Sequence, residues 1–189
     1  MAKDAPHIEV KSRGDLRAWL SENHATATSV WLVVYKKPSP HYLPWGDAVE
    51  ELLCWGWVDS VTRKVDDVRS SYRISPRSEK SAWSAVNKAK VESARASGAM
   101  TPAGEARIAA AKANGMWTFL DDVERLDVPD DLAAALGTLR PVWDSYPRSI
   151  KRGALEWIKT ARTALTRAKR IEDVVTSAAQ NLRPSPFRR

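Results

Sequence analysis

A chain of 189 residues has room for one ordinary domain, or for a small domain with a helical extension. Apolar content of 43% with nine tryptophans excludes a largely disordered chain, and charged content of 28% is that of a globular protein with a solvated surface. The longest apolar run, Val30–Tyr35, is far too short to cross a bilayer, and the single cysteine, Cys54, excludes an internal disulfide. The opening residues MAKDAPHIEV contain no apolar signal-peptide core, so a cytoplasmic setting is expected. Cys54 lies between Leu53 and Trp55 and reads as a small buried hydrophobe.

In chain order, DLRAWLSE (15–22) predicts a short helix with Leu16, Trp19 and Leu20 on one face. VWLVVYKK (30–37) is β-branched and aromatic and predicts a strand that Pro38 ends. From Pro44 to Cys54 the spacing predicts a helix with Asp47, Glu50 and Glu51 on a solvated side and Val49, Leu52 and Leu53 opposite. WVDSVTRKV (57–65) and VRSSYRIS (68–75) predict a hairpin turning at Asp66-Asp67. Strict alternation there puts Trp57, Asp59, Val61, Arg63 and Val65 on one face, and on the second strand it separates Tyr72 and Ile74 from Ser71, Arg73 and Ser75.

The remainder reads as helical. One helix is predicted from about Trp83 to Ser97, stopped by Gly98, and a second follows the cap Thr101-Pro102 and closes at Asn114-Gly115. The interior of the second, EARIAAAKA, is small enough to predict close packing. Residues 116–128 read as an acidic, irregular boundary. After it come a short helix over 129–136 and a helix beginning near Pro147 with Ile150, Ala154, Trp157, Ile158 and Ala161 inward. A last helix, from about Thr166 to Asn181, is predicted to bury Ile171, Val175, Ala178 and Leu182, and RPSPFRR forms a basic tail. The fold class is therefore α+β: a small antiparallel sheet with packed helices, then an all-α module, divided as 1–120, 121–182 and a tail at 183–189.

The net charge of +7 is uneven along the sequence. Residues 1–139 carry 18 basic and 19 acidic groups, against 12 and 4 in residues 140–189. Such a bias points to an anionic partner, either nucleic acid or an acidic protein or peptide. On a helical wheel Arg148, Lys151, Arg152, Lys159 and Arg162 fall within about one hundred degrees of arc, and this arc is expected to stay in solvent and meet phosphate.

The most distinctive stretch is 53–87, where Trp57, Tyr72 and Trp83 alternate with Arg63, Arg73 and Arg77. Guanidinium forks match anion geometry and aromatic rings accept any base, so these residues, with Asp59, Ser84 and Asn87, form the candidate ligand-binding set. His7, His24 and His41 stand at no ligand spacing, so no metal and no cofactor are expected. No phosphate loop, nucleophile elbow or metalloprotease motif occurs, and nothing in the sequence sets a nucleophile beside its base. Binding rather than catalysis is expected; a nucleic-acid module using the same residues, or a small-molecule enzyme with its site between the two halves, are the alternatives.

WLVVYKK, ELLCWGWVDS, YRISPR, the Trp83-Ser84-Ala85-Val86-Asn87 segment, GAMTPAG (98–104), AKANGMW (111–117) and WIKTAR…TRAKRI (157–171) resemble the YdeI/OmpD-associated family, whose members are labelled bacteriocin-protection proteins. The resemblance runs from about Val30 to Ile171. It implies a first half of the YdhG type within the YjbR/CyaY (frataxin-like) group, a helical second module, and a role in stress protection.

Overall fold

A computed structural model describes residues 5–188. It divides into two compact units between Phe119 and Leu120.

The first unit begins with β1 (His7–Glu9), then α1 (Arg13–Asn23), β2 (Val30–Tyr35) and α2 (Trp45–Cys54). The hairpin strands β3 (Trp57–Lys64) and β4 (Arg69–Pro76) follow, then α3 (Ala85–Ala96) and α4 (Pro102–Ala113). The sheet order is β1-β2-β4-β3; β2, β4 and β3 are antiparallel and β1 joins β2 in parallel. β1 adds a short strand at the edge that the sequence pattern does not reveal.

Val30, Leu32, Val34, Trp57 and Ile74 lie on one face of the sheet and pack against Leu16 and Leu20 of α1 and Ala48 and Leu52 of α2. A second cluster, on the other side of α2, joins Leu53 to Trp83, Val91 of α3, and Ile108 and Ala111 of α4. Thr101 caps α4 and Gly98 takes a positive φ of 71° just after α3, as the sequence predicts; Ser12 and Ser84 are further caps that the sequence reading did not single out, and all three side chains accept from backbone amides three residues on.

Two expectations about α2 resolve differently. Cys54 is fully buried, and burial pushes its thiol up to about 11. It should stay unreactive to a thiol-specific chromogenic reagent at pH 8 until denaturant is added; rapid labelling of the native protein would contradict this burial. Glu51, expected on a solvated side, is only 1% exposed. Arg13 and Arg17 of α1 reach across to it, an interhelical contact that no single-helix projection of α2 displays.

The second unit contains α5 (Asp121–Arg125), α6 (Asp130–Leu136), a single 3-10 turn, α7 (Arg140–Ser145), α8 (Arg148–Lys159) and α9 (Ala164–Ala179). The segment 116–128 is thus not irregular throughout, because α5 lies within it. α7 escapes the sequence reading because it is one short turn-and-a-half carrying Trp143 inward. In α9 the buried residues are Ile171, Val174, Ser177 and Ala178. Val174 replaces Val175 on the inner face, and Leu182, 44% exposed, lies beyond the helix end. Residues 185–187 dock on their own unit: Ser185 donates its amide to Asp173 at 2.8 Å, and the Phe187 ring lies against Gly153 of α8.

Candidate binding surface

The candidate residues fall into three environments, and a β-bulge does most of the sorting. Asp59 pairs with Ile74, but Thr62 pairs with Tyr72, so β3 spends three residues where β4 spends two. The extra residue reverses the alternation beyond it. Trp57 and Asp59 share the helix-covered face with Tyr72 and Ile74, while Arg63, paired with Ser71, emerges on the opposite face. Strict alternation had placed Arg63 with Trp57 and Asp59; the bulge overturns this.

On that opposite face the register aligns His7, Trp31 and Arg73 across β1, β2 and β4. The side chain of Arg63 passes over the strand that carries buried Ser71, and its guanidinium carbon sits 4.1 Å from the centre of the Trp31 ring. A longer side chain at position 71 would obstruct this crossing. His7 lies nearly parallel to Trp31, at 18° with ring centres 6.3 Å apart. Trp31 is consequently 4% exposed although it belongs to no helix-packed cluster, and Arg63, Arg73 and His7 are exposed. Arg73 donates Nε to Ser29 Oγ at 2.9 Å. Among the described residues neither Arg63 nor Arg73 meets a carboxylate, whereas neighbouring Arg69 is held by Glu9 and Asp66. The sequence reading named both arginines but missed Trp31 and His7. Trp31 lies inside a strand that reads as wholly interior, and only the register exposes its partnership with Arg73.

The second environment is the covered face and its margin. Tyr72 stacks on Trp45 at 3.4 Å and 12°. Burial raises the Tyr72 phenol, and Asp59 and Tyr42 push it the same way. Trp57 and Trp83 are each 1% exposed and act as core. Arg77 is also interior, at 4% exposed, with its guanidinium 4.0 Å from the Trp83 ring. Its Nη2 donates to the Ala82 carbonyl, while Nε and Nη1 have no partner among the described residues. Burial pushes this guanidinium down to about 10, opposed by Asp59. Ser84 caps α3 by accepting from the Asn87 amide, and both residues are half-buried.

The third environment is the basic arc of α8. Arg152 donates to Glu124 at 2.8 Å and to Glu156 at 2.7 Å, and Lys159 meets Asp122 at 2.6 Å. Arg148 donates to the Glu124 carbonyl and Lys151 to that of Asp144. The arc is therefore largely tied down by the acidic segment, not left in solvent, and only Arg162 engages no carboxylate or carbonyl among the described residues. By unit, residues 1–119 carry 17 basic and 13 acidic groups and residues 120–189 carry 13 and 10. The charge bias read along the sequence was a consequence of cutting the acidic segment away from the helix it neutralises.

These pairs set a pH dependence. A hydrogen bond from Arg167 holds Asp131 below the usual carboxylate range. For Asp122 burial acts the other way, and the Lys159 ammonium and Val123 amide outweigh it. A lowered folded pKa adds stability that is present above the unfolded value of about 4 and is lost as pH falls through the folded one. Thermal melts followed by circular dichroism should therefore show the midpoint dropping between pH 5 and pH 3, and Asp131→Asn should flatten part of that drop. An unchanged slope in the variant would remove Asp131 from the account.

A family model described as a domain of unknown function, DUF8412, matches residues 8–107, more than half of the chain. The chain belongs to the DUF8412 family. The DUF8412 match takes in the sheet from Ile8 of β1 onward and reaches the first half of α4, so it includes Arg63, Trp31 and Arg73 and leaves His7 just outside. A second family model, described as "Bacteriocin-protection, YdeI or OmpD-Associated", matches residues 125–181, within the helical second unit. The resemblance read from the motifs is thus found for the second unit, while the motifs between Val30 and Arg107 fall in the DUF8412 match. Neither the curated proteins nor the solved structures contain a match to this DUF8412 chain. No helix among the described residues is long and apolar enough to cross a membrane.

Proposed function

We propose that this chain is a binding protein of the bacteriocin-protection or stress-protection type, acting in the cytoplasm without chemistry of its own. In this reading the first unit is of the YdhG/YjbR/CyaY type, supported by helices packed on one face of its small sheet, and an anionic partner binds the other face. The observation that carries it is the guanidinium of Arg63 over the Trp31 ring, with Arg73 alongside and no carboxylate on either among the described residues. An arginine held over an aromatic ring and without a carboxylate partner is preorganised for a partner that brings negative charge. Binding is favoured over catalysis by the separation of the candidate groups: Asp59 and Tyr72 face the helices, Arg63 and Arg73 face away, and the Ser84 hydroxyl is spent on a helix cap.

The test is a strain lacking the gene, challenged with bacteriocins and cationic peptides. The deletion should be more sensitive, wild-type protein should restore resistance, and Arg63→Ala/Arg73→Ala should not. Unchanged sensitivity in the deletion would end the protection reading.

A further inference from the structure

We propose that the partner of the exposed sheet face is single-stranded nucleic acid, held by base stacking on the Arg63 guanidinium and by phosphate contacts from Arg63 and Arg73. This rests on the reading that the aromatic–basic face is the working surface.

The face presents two kinds of planar group in one patch, the exposed His7 imidazole and the exposed Arg63 guanidinium, with the buried Trp31 indole as the platform between them. Adjacent strands are about 4.8 Å apart, so β1, β2 and β4 spread this patch over about 10 Å. That is the scale on which sheet-face RNA modules stack two or three bases. Arg63 lies over Trp31 and is itself exposed, so a base can reach its open side while its N–H groups remain for phosphate. Arg73, next to Trp31 in the register, supplies a second donor fork beside the stack.

The chemistry discriminates between anionic partners. A duplex is read by elements that enter its grooves, and its bases are already stacked on each other, so a broad sheet face offers it phosphate contacts only. An acidic peptide brings carboxylates but no flat rings for the outward face of Arg63. A single strand brings both charge and free ring faces, and ring stacking is tolerant of sequence. With two phosphates engaged, the affinity should fall with a log–log salt slope of about −1.4, or roughly sevenfold from 50 to 200 mM salt.

The experiment is fluorescence anisotropy with labelled oligo-dT and oligo-U of about 15 nucleotides, a labelled duplex of the same length and a labelled polyglutamate peptide, each across a salt series. The single strands should bind more tightly than the duplex and the peptide. Arg63→Ala and Arg73→Ala should each lose about tenfold or more, since stacking and phosphate contacts are of that size. Arg63→Lys keeps the charge and loses the plane, so it should recover the salt slope but not the affinity. Arg125→Ala, in the second unit, should bind like wild type. A urea unfolding curve for each variant separates lost binding from lost folding. No binding of the single strands at 50 mM salt, equal binding of the duplex, or full affinity in natively folded Arg63→Ala/Arg73→Ala would each overturn the proposal. If the strands fail to bind while Arg63→Ala/Arg73→Ala still abolishes protection, this inference falls and the working surface stands with a different partner.

Discussion

Glu51→Ala should lower folding stability by about 3 kcal/mol, the lower end of the range for breaking a buried ion pair. The Glu51 carboxylate accepts from Arg13 Nε at 2.8 Å, Arg17 Nη1 at 2.7 Å and Trp55 Nε1 at 3.1 Å. It is the knot that ties α1 to α2 above the sheet. Removing it leaves the Trp55 indole without its acceptor and two guanidiniums facing each other. Arg13 and Arg17 keep water access, at 35% and 40% exposed, which is why the lower end applies. Glu50 makes a single bond to Arg13 and is more exposed, so Glu50→Ala should cost less than about 1 kcal/mol. Urea unfolding of the two variants decides the matter: equal losses would mean that the network at Glu51 is no stronger than the single Arg13–Glu50 pair.

Gly104→Ala should cost about 3 kcal/mol, at the upper end for overpacking. Thr101 Oγ1 donates to the Cys54 carbonyl at 2.6 Å and accepts from the Gly104 amide, which pins the start of α4 against the end of α2. A methyl on Gly104 would lie 2.3 Å from the Cys54 oxygen and 2.8 Å from its carbonyl carbon. Both are backbone atoms of a packed helix, so relief requires α4 to move away as a whole. The gain of about 1 kcal/mol from alanine's helix propensity does not offset this. Gly46→Ala is the contrast, because its methyl would approach only the end of the Lys90 side chain, at 3.3 Å, and that side chain can swing aside. A thermal midpoint for Gly104→Ala close to wild type would show that the α2–α4 contact has slack.

The elements whose signals are local were legible in the sequence. The β-branched run of β2, the Asp66-Asp67 turn and the Thr101-Pro102 cap each carry their instruction within a few residues. The close packing implied by the small residues of α4 is met at Gly104. What escaped depends on partners distant in sequence. Glu51 looks solvated until Arg13 and Arg17 arrive from another helix. The basic arc of α8 looks free until Asp122 and Glu124 fold back on it. Arg63 and Arg73 were legible as candidates by residue type, but their face was not. An extra residue in β3 and the register of β2 against β4 decide that face, and neither has a sequence signature of its own.

The same bulge bears on self-association. β3 pairs only with β4, so its outer side is an open hydrogen-bonding edge, the part of a sheet most prone to capture a strand from another molecule. The irregularity between Asp59 and Thr62 breaks that edge near its middle, and Arg63 and Lys64 place two charges beyond the break. The opposite edge is β1, three residues long and too short to template much. Deleting Val61, which is exposed, would give β3 a regular ladder and leave Arg63 on its present face, but it would also straighten the edge. The extra residue therefore works as a guard, keeping a four-stranded sheet from recruiting a fifth strand.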